Sequence, residues 1–144
     1  MKCRWATQFE IIEGASAFHK RVGHILATDP LFRNTKCFQE VPVPDLLPDY
    51  PDRHRIDWWL EDYGIAVELH GAQHYKVVNF GNVSVRKAES DFNAILYRDN
   101  LKKTALLEAG FQYREIHYRY AKKLTPELFR QLVFGDESDA KHTP

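Results

Sequence analysis

Two acids stand where acids are expensive to place. Asp57 interrupts the apolar run Ile56-Asp57-Trp58-Trp59-Leu60, and Glu68 interrupts the run from Ile65 to Leu69, with His70 and Gly71 directly after it. A carboxylate among β-branched and aromatic residues costs free energy unless it is ion-paired or bound to metal. On neighbouring strands, Asp57 and Glu68 could converge on one divalent ion. Mg²⁺ takes oxygen ligands and keeps several waters, so one or two carboxylates suffice. Such an ion would polarise a phosphodiester and lower the pKa of a bound water. The plainer alternative pairs the two acids with Arg55, Arg98 or Arg114. His70 and His74, four residues apart, raise zinc as a second idea. Against it, the run follows a strand, contains Gly71 and lacks the glutamate of an HExxH helix.

The elements that would position these residues are legible from apolar spacing. Phe18, Val22, Ile25 and Leu26 recur at helical intervals, predicting a helix over 15–28 that Asp29-Pro30 ends and that turns Lys20, Arg21 and His24 outward. A strand is expected at 36–43, then a proline-rich loop at 44–54. Strands at 55–60 and 64–70 flank the turn Glu61-Asp62-Tyr63-Gly64, so Glu68 and His70 share a face, as do Asp57 and Trp59. Residues 76–84 read as loop. A long helix follows at 85–109, with Phe92, Ile95, Leu96, Leu101, Ala105 and Leu106 marking its buried side and Gly110 capping it. A strand at 111–118 and a helix opened by Thr125-Pro126-Glu127 complete the order. The fold class is α/β, a mixed central sheet flanked by helices, and the strand–helix–strand unit at 64–118 should cross over right-handedly to a parallel strand. One domain is expected over 1–135, with a polar tail at 136–144.

The formal net charge is zero, but it is unevenly spread. Residues 40–70 hold eight acids against two arginines, whereas residues 76–130 hold eleven Lys and Arg against six acids. An acidic centre between basic segments suits metal binding beside a phosphate backbone. No apolar run approaches the roughly 20 residues of a membrane span. Cys3 and Cys37 are too few for a disulfide framework, and the N-terminus has no apolar secretory segment, so a cytoplasmic setting is expected.

The quoted residues resemble the PD-(D/E)XK nuclease superfamily, in particular its very-short-patch-repair-like branch. The similarity runs in order through Gln39-Glu40-Val41-Pro42, Arg55-Ile56-Asp57, Glu68-Leu69-His70-Gly71-Ala72-Gln73-His74, then Asp99, Lys102 and Lys103, and finally Leu107 with Gly110-Phe111. It implies a restriction-endonuclease-like αβββαβ core and an Mg²⁺-dependent endonuclease, with Mn²⁺ able to substitute, that hydrolyses DNA. In that reading Asp57 and Glu68 bind the metal, and the Leu69 carbonyl is a third ligand. His70 stands where the family has lysine, and Gln73 and His74 orient water or touch the phosphate. Arg55, Lys76, Arg86, Lys87, Arg98, Lys102 and Lys103 would contact DNA, and Arg119, Lys122 and Lys123 form a second basic cluster. Trp58, Trp59 and Tyr75 would stack on bases or fill the core. An additional ligand from the first helix would be Glu13 or His19, both of which also suit a plain surface position. So short a chain would read DNA structure or a nick, act as a homodimer, or borrow a targeting partner. The missing lysine favours a rival, a catalytically inactive nucleic-acid-binding or assembly module on the same fold.

Overall fold

A computed structural model describes residues 5–71 and 84–135. Its elements are α1 (Ala17–Thr28), β1 (Cys37–Pro42), α2 (Val43–Leu46), β2 (Arg55–Leu60), β3 (Ile65–His70), α3 (Val85–Glu108), β4 (Gln112–His117), a 3₁₀ turn (Tyr118–Tyr120) and α4 (Pro126–Phe134). The strands form one sheet in the order β1-β2-β3-β4. β1, β2 and β3 are successively antiparallel, and β4 runs parallel to β3, as a strand–helix–strand crossover requires. The α/β class and the mixed sheet therefore agree with the expectation.

Each element follows from local chemistry. Ser16 caps α1 by accepting the His19 N–H at 3.1 Å, Ser84 caps α3 through Lys87, and Thr125 caps α4 through Leu128. Gly64, at φ 66°, closes the β2–β3 turn with a backbone the other residues there would resist. The expected loop at 44–54 opens instead with α2, one helical turn, because Pro44 and Asp45 both favour a helix N-terminus. Asp45 also accepts a hydrogen bond from the Trp5 indole at 2.9 Å.

Two apolar clusters lie on the sheet. Val22, Ile25, Leu26, Phe32, Trp58, Val67, Ile116 and Phe129 join α1 and α4 to the strands, and Trp5, Phe38, Ile56, Trp59, Leu106 and Tyr113 form the cluster that includes α3. Trp58 and Trp59 are both buried, so neither can stack on a base. On α3, the sequence pattern is corrected. Leu106 is buried as expected, but Leu96 is exposed, and the other buried positions are Ala88, Asp99 and Lys102. Two charged residues occupy the stripe that apolar spacing assigned to hydrophobic ones.

Candidate metal and phosphodiester site

The strand register puts acids in a row. Gln39 opposite Trp58 and Val41 opposite Ile56 bracket Glu40 against Asp57. The β2–β3 pairs run Leu60–Ile65, Trp59–Ala66 and Trp58–Val67, and the same register carried one step further sets Asp57 against Glu68. Glu68 in turn faces Glu115 on β4. Glu40, Asp57, Glu68 and Glu115 thus cross all four strands, an arrangement of like charges that destabilises a sheet without compensation.

Part of the compensation is visible. The recorded β2–β3 pairing stops one residue short of the two acids, and their side chains bridge the strands there. Asp57 Oδ2 accepts the Leu69 N–H at 2.7 Å, and Glu68 Oε2 accepts the Asp57 N–H at 3.4 Å. Glu68 Oε1 is ion-paired to Lys102 Nζ of α3, which also donates to the Arg55 carbonyl at 2.9 Å. Both partners of this ion pair are buried. Burial holds the Glu68 carboxyl well above its ordinary range, Asp57 adds to the rise, and Lys102 opposes it. Burial and then Asp57 raise Glu40 as well. Glu40 has a left-handed backbone, φ 52°, which takes its side chain off the regular strand alternation.

Asp57, Glu40 and Leu69 line a cleft of about 210 Å³ with Ile12, Gly14, Ala15, Ser16 and His19. His19 is not a surface residue. It stacks on Trp58 with ring centroids 4.7 Å apart, and its Nε2 lies 2.8 Å from Gln39 Oε1. Gln39 Nε2 donates to the carbonyls of Thr7 and Glu10, so its oxygen is the acceptor and His19 carries its proton on Nε2. Gln39 Oε1 also accepts the Ile12 N–H, which binds the cleft wall to β1. Glu13 is exposed and absent from the cleft lining, whereas His19 is part of it.

Among the sequence-nominated residues, Asp57, Glu68 and Leu69 come together. His70 lies apart from them in its contacts: it is buried, with Nε2 3.9 Å from Asp99 and Nδ1 3.5 Å from Glu115. The cation on Glu68 is Lys102, so Lys102 is not the surface phosphate clamp the sequence suggested, and His70 does not stand in the lysine's place. Gln73, His74, Lys76 and Tyr75 lie outside the described residues, as does the 136–144 tail. Of the other nominated cations, Arg55, Arg86 and Lys103 are exposed, Arg98 is half-buried, and Lys87 is paired with Asp91 at 2.6 Å. Glu40 went unselected, although an acid beside Val41-Pro42 in an apolar strand carries the same signal as Asp57.

Among the described residues no three His, Cys, Asp or Glu side chains form a ready-made metal cage. Asp57 and Glu68 are the carboxylates that could hold a cation, and oxygen donors of this kind suit a hard ion completed by water rather than zinc. No described helix is long and apolar enough to cross a membrane. No protein-family model, curated protein or solved structure matches the chain.

Proposed function

We propose that this protein is a divalent-metal-dependent endonuclease that hydrolyses DNA phosphodiester bonds, with Asp57 and Glu68 as its metal-binding carboxylates. One observation carries the reading: where strand pairing ends, the cleft-lining Asp57 stands beside the buried Glu68, and a buried lysine is paired with one oxygen of Glu68. Two acids so close must share a proton or a cation. Hard oxygen donors fit Mg²⁺ or Mn²⁺, and Leu69, which lines the cleft beside Asp57, would add its carbonyl as a third ligand. Three antiparallel strands, a crossover helix and a parallel strand support the restriction-endonuclease-like assignment.

A bound ion would supply Lewis-acid polarisation of the phosphodiester and a more acidic water. The rest falls to the chain's own groups. Lys102 neutralises Glu68 and fixes which of its oxygens faces Asp57. The Leu69 N–H orients Asp57. Glu40, held more proton-retentive than an ordinary glutamate, faces Asp57 across the cleft, where it can hold a water or a proton. The role that the sequence assigned to His70 passes to Lys102. His70, between Asp99 and Glu115, instead holds β3, β4 and α3 together.

The non-catalytic reading has one observation in its favour, since both carboxylates already accept backbone N–H groups as a structural bridge would. Plasmid nicking separates the two. The endonuclease nicks supercoiled DNA with Mg²⁺ or Mn²⁺, stops with chelator, and loses on the order of a hundredfold or more in Asp57→Ala. Binding without nicking, or nicking that survives Asp57→Ala, would overturn the mechanism.

A further inference from the structure

The nuclease reading leaves one strongly charged surface without a role. The segment His117-Tyr118-Arg119-Tyr120-Ala121-Lys122-Lys123 directly follows β4, and residues 116–126 contain no acid. Arg119, Lys122 and Lys123 are all exposed, and among the described residues no ion pair joins any of them to a carboxylate. On α3, Lys87 is paired and Lys102 is buried, which leaves Arg86 and Lys103 as its other exposed cations.

Two independent features set this segment at the acid-bearing end of the sheet, on its α1 face. The parallel register sets Glu68 opposite Glu115 and His70 opposite His117, so the turn starts at the sheet end that carries the acids. Tyr118 lies three residues past Glu115, about 10 Å along an extended strand. Side-chain packing gives the face: Tyr120 of the turn packs on the same apolar cluster as Phe18 of α1 and Leu69 of β3. Arg21 of α1 reaches the turn and donates to the Leu124 carbonyl at 3.4 Å. The turn is also ordered in advance. The Arg119 guanidinium and Lys123 ammonium lie 5.0 and 5.8 Å from the Tyr120 ring centre, Arg119 donates to the Tyr120 hydroxyl at 3.1 Å, and the Arg119 N–H bonds to His117 Nδ1 at 3.0 Å. Cations braced on an aromatic ring lose less side-chain freedom when an anion arrives.

Resting on the nuclease reading, we propose that the turn Tyr118–Lys123 is the phosphate track along which the DNA strand leaves the cleft, on the α1 side of the sheet rather than along α3. Arg119, Lys122 and Lys123 each contact backbone phosphate. They fix register and contribute affinity without reading sequence.

The test is fluorescence-anisotropy binding of a labelled DNA duplex in chelator, which keeps cleavage off, over a series of salt concentrations. Three lost contacts make the slope of log K against log salt shallower by about 2.7 in R119Q/K122Q/K123Q, and weaken binding on the order of a hundredfold near 0.15 M salt. Single K122Q, whose side chain takes no part in bracing the turn, shifts the slope by about one. Unchanged slopes in both variants, or a loss found in R86Q/K103Q of α3 instead, overturn the track. Wild-type protein that binds no duplex at any salt overturns both the track and the nuclease reading. Slope losses in a wild-type protein that never nicks DNA uphold the track and remove the catalytic claim alone.

Discussion

Lys102→Met tests whether the charges under α3 are coupled as the geometry requires. The substitution keeps most of the side-chain volume and removes the buried cation paired with Glu68, leaving a buried carboxylate beside Asp57. Breaking a buried ion pair by removing one partner costs about 3–5 kcal/mol. Protonation of Glu68 relieves part of this, so about 3 kcal/mol is expected at pH near 8, or roughly 10 °C in Tm for a chain of this size. The pH dependence has a definite sign. Glu68 is held well above its usual value, first by burial and then by Asp57, with Lys102 pulling it back. A carboxyl raised in the folded state favours folding below its unfolded pKa, near 4.3, and loses that contribution as pH rises through its folded value. Without Lys102 the folded value rises further, so the deficit of the variant should be small at about pH 5 and grow towards about pH 8. Urea unfolding in chelator at both pH values measures it, and K102M/E68Q should recover more than half of the loss. A deficit under about 1 kcal/mol at pH near 8, or one equal at both pH values, would refute the coupling.

Other outcomes follow from the same contacts. Burial pushes the Cys37 thiol up to about 11, so maleimide at about pH 8 should leave it intact in native protein and label it after denaturation, as read by peptide mass spectrometry. Labelling of Cys37 at the rate of a free thiol would show that β1 opens readily. Gln39→Leu leaves the Thr7 and Glu10 carbonyls, the Ile12 N–H and His19 without their shared partner. At roughly 1 kcal/mol for each, urea titration should show a loss of about 4 kcal/mol, with new protease sensitivity in residues 7–12.

The elements were legible because their signals are local. Val22, Ile25 and Leu26 mark α1 by spacing alone, and the Glu61–Gly64 turn sets β2 against β3. The expected convergence of Asp57 and Glu68 followed from that hairpin. Long-range partners left no such trace. Lys102 lies 34 residues from Glu68, and a helical count of apolar positions has no way to register a lysine whose buried place depends on the strand beneath it. Asp99 and His70 were obscured in the same way. Glu40 joins the site only through the β1–β2 register, and His19 leaves the surface only because Gln39 and Trp58 receive it. The tryptophan pair read as at least one core ring with base stacking left open for the other, because exposure is not written in residue type; both are buried. α2 was missed for a smaller reason: a single turn begun by Pro44-Asp45 looks like loop composition.

The central claim is that Asp57 and Glu68 hold a hard divalent cation, and the most direct measurement is the anomalous map of a crystal soaked in Mn²⁺. The account predicts a peak between the two carboxylates, about 2.0–2.3 Å from an oxygen of each, with Lys102 still on the opposite oxygen of Glu68. An empty site between Asp57 and Glu68, with manganese bound only elsewhere, would contradict it.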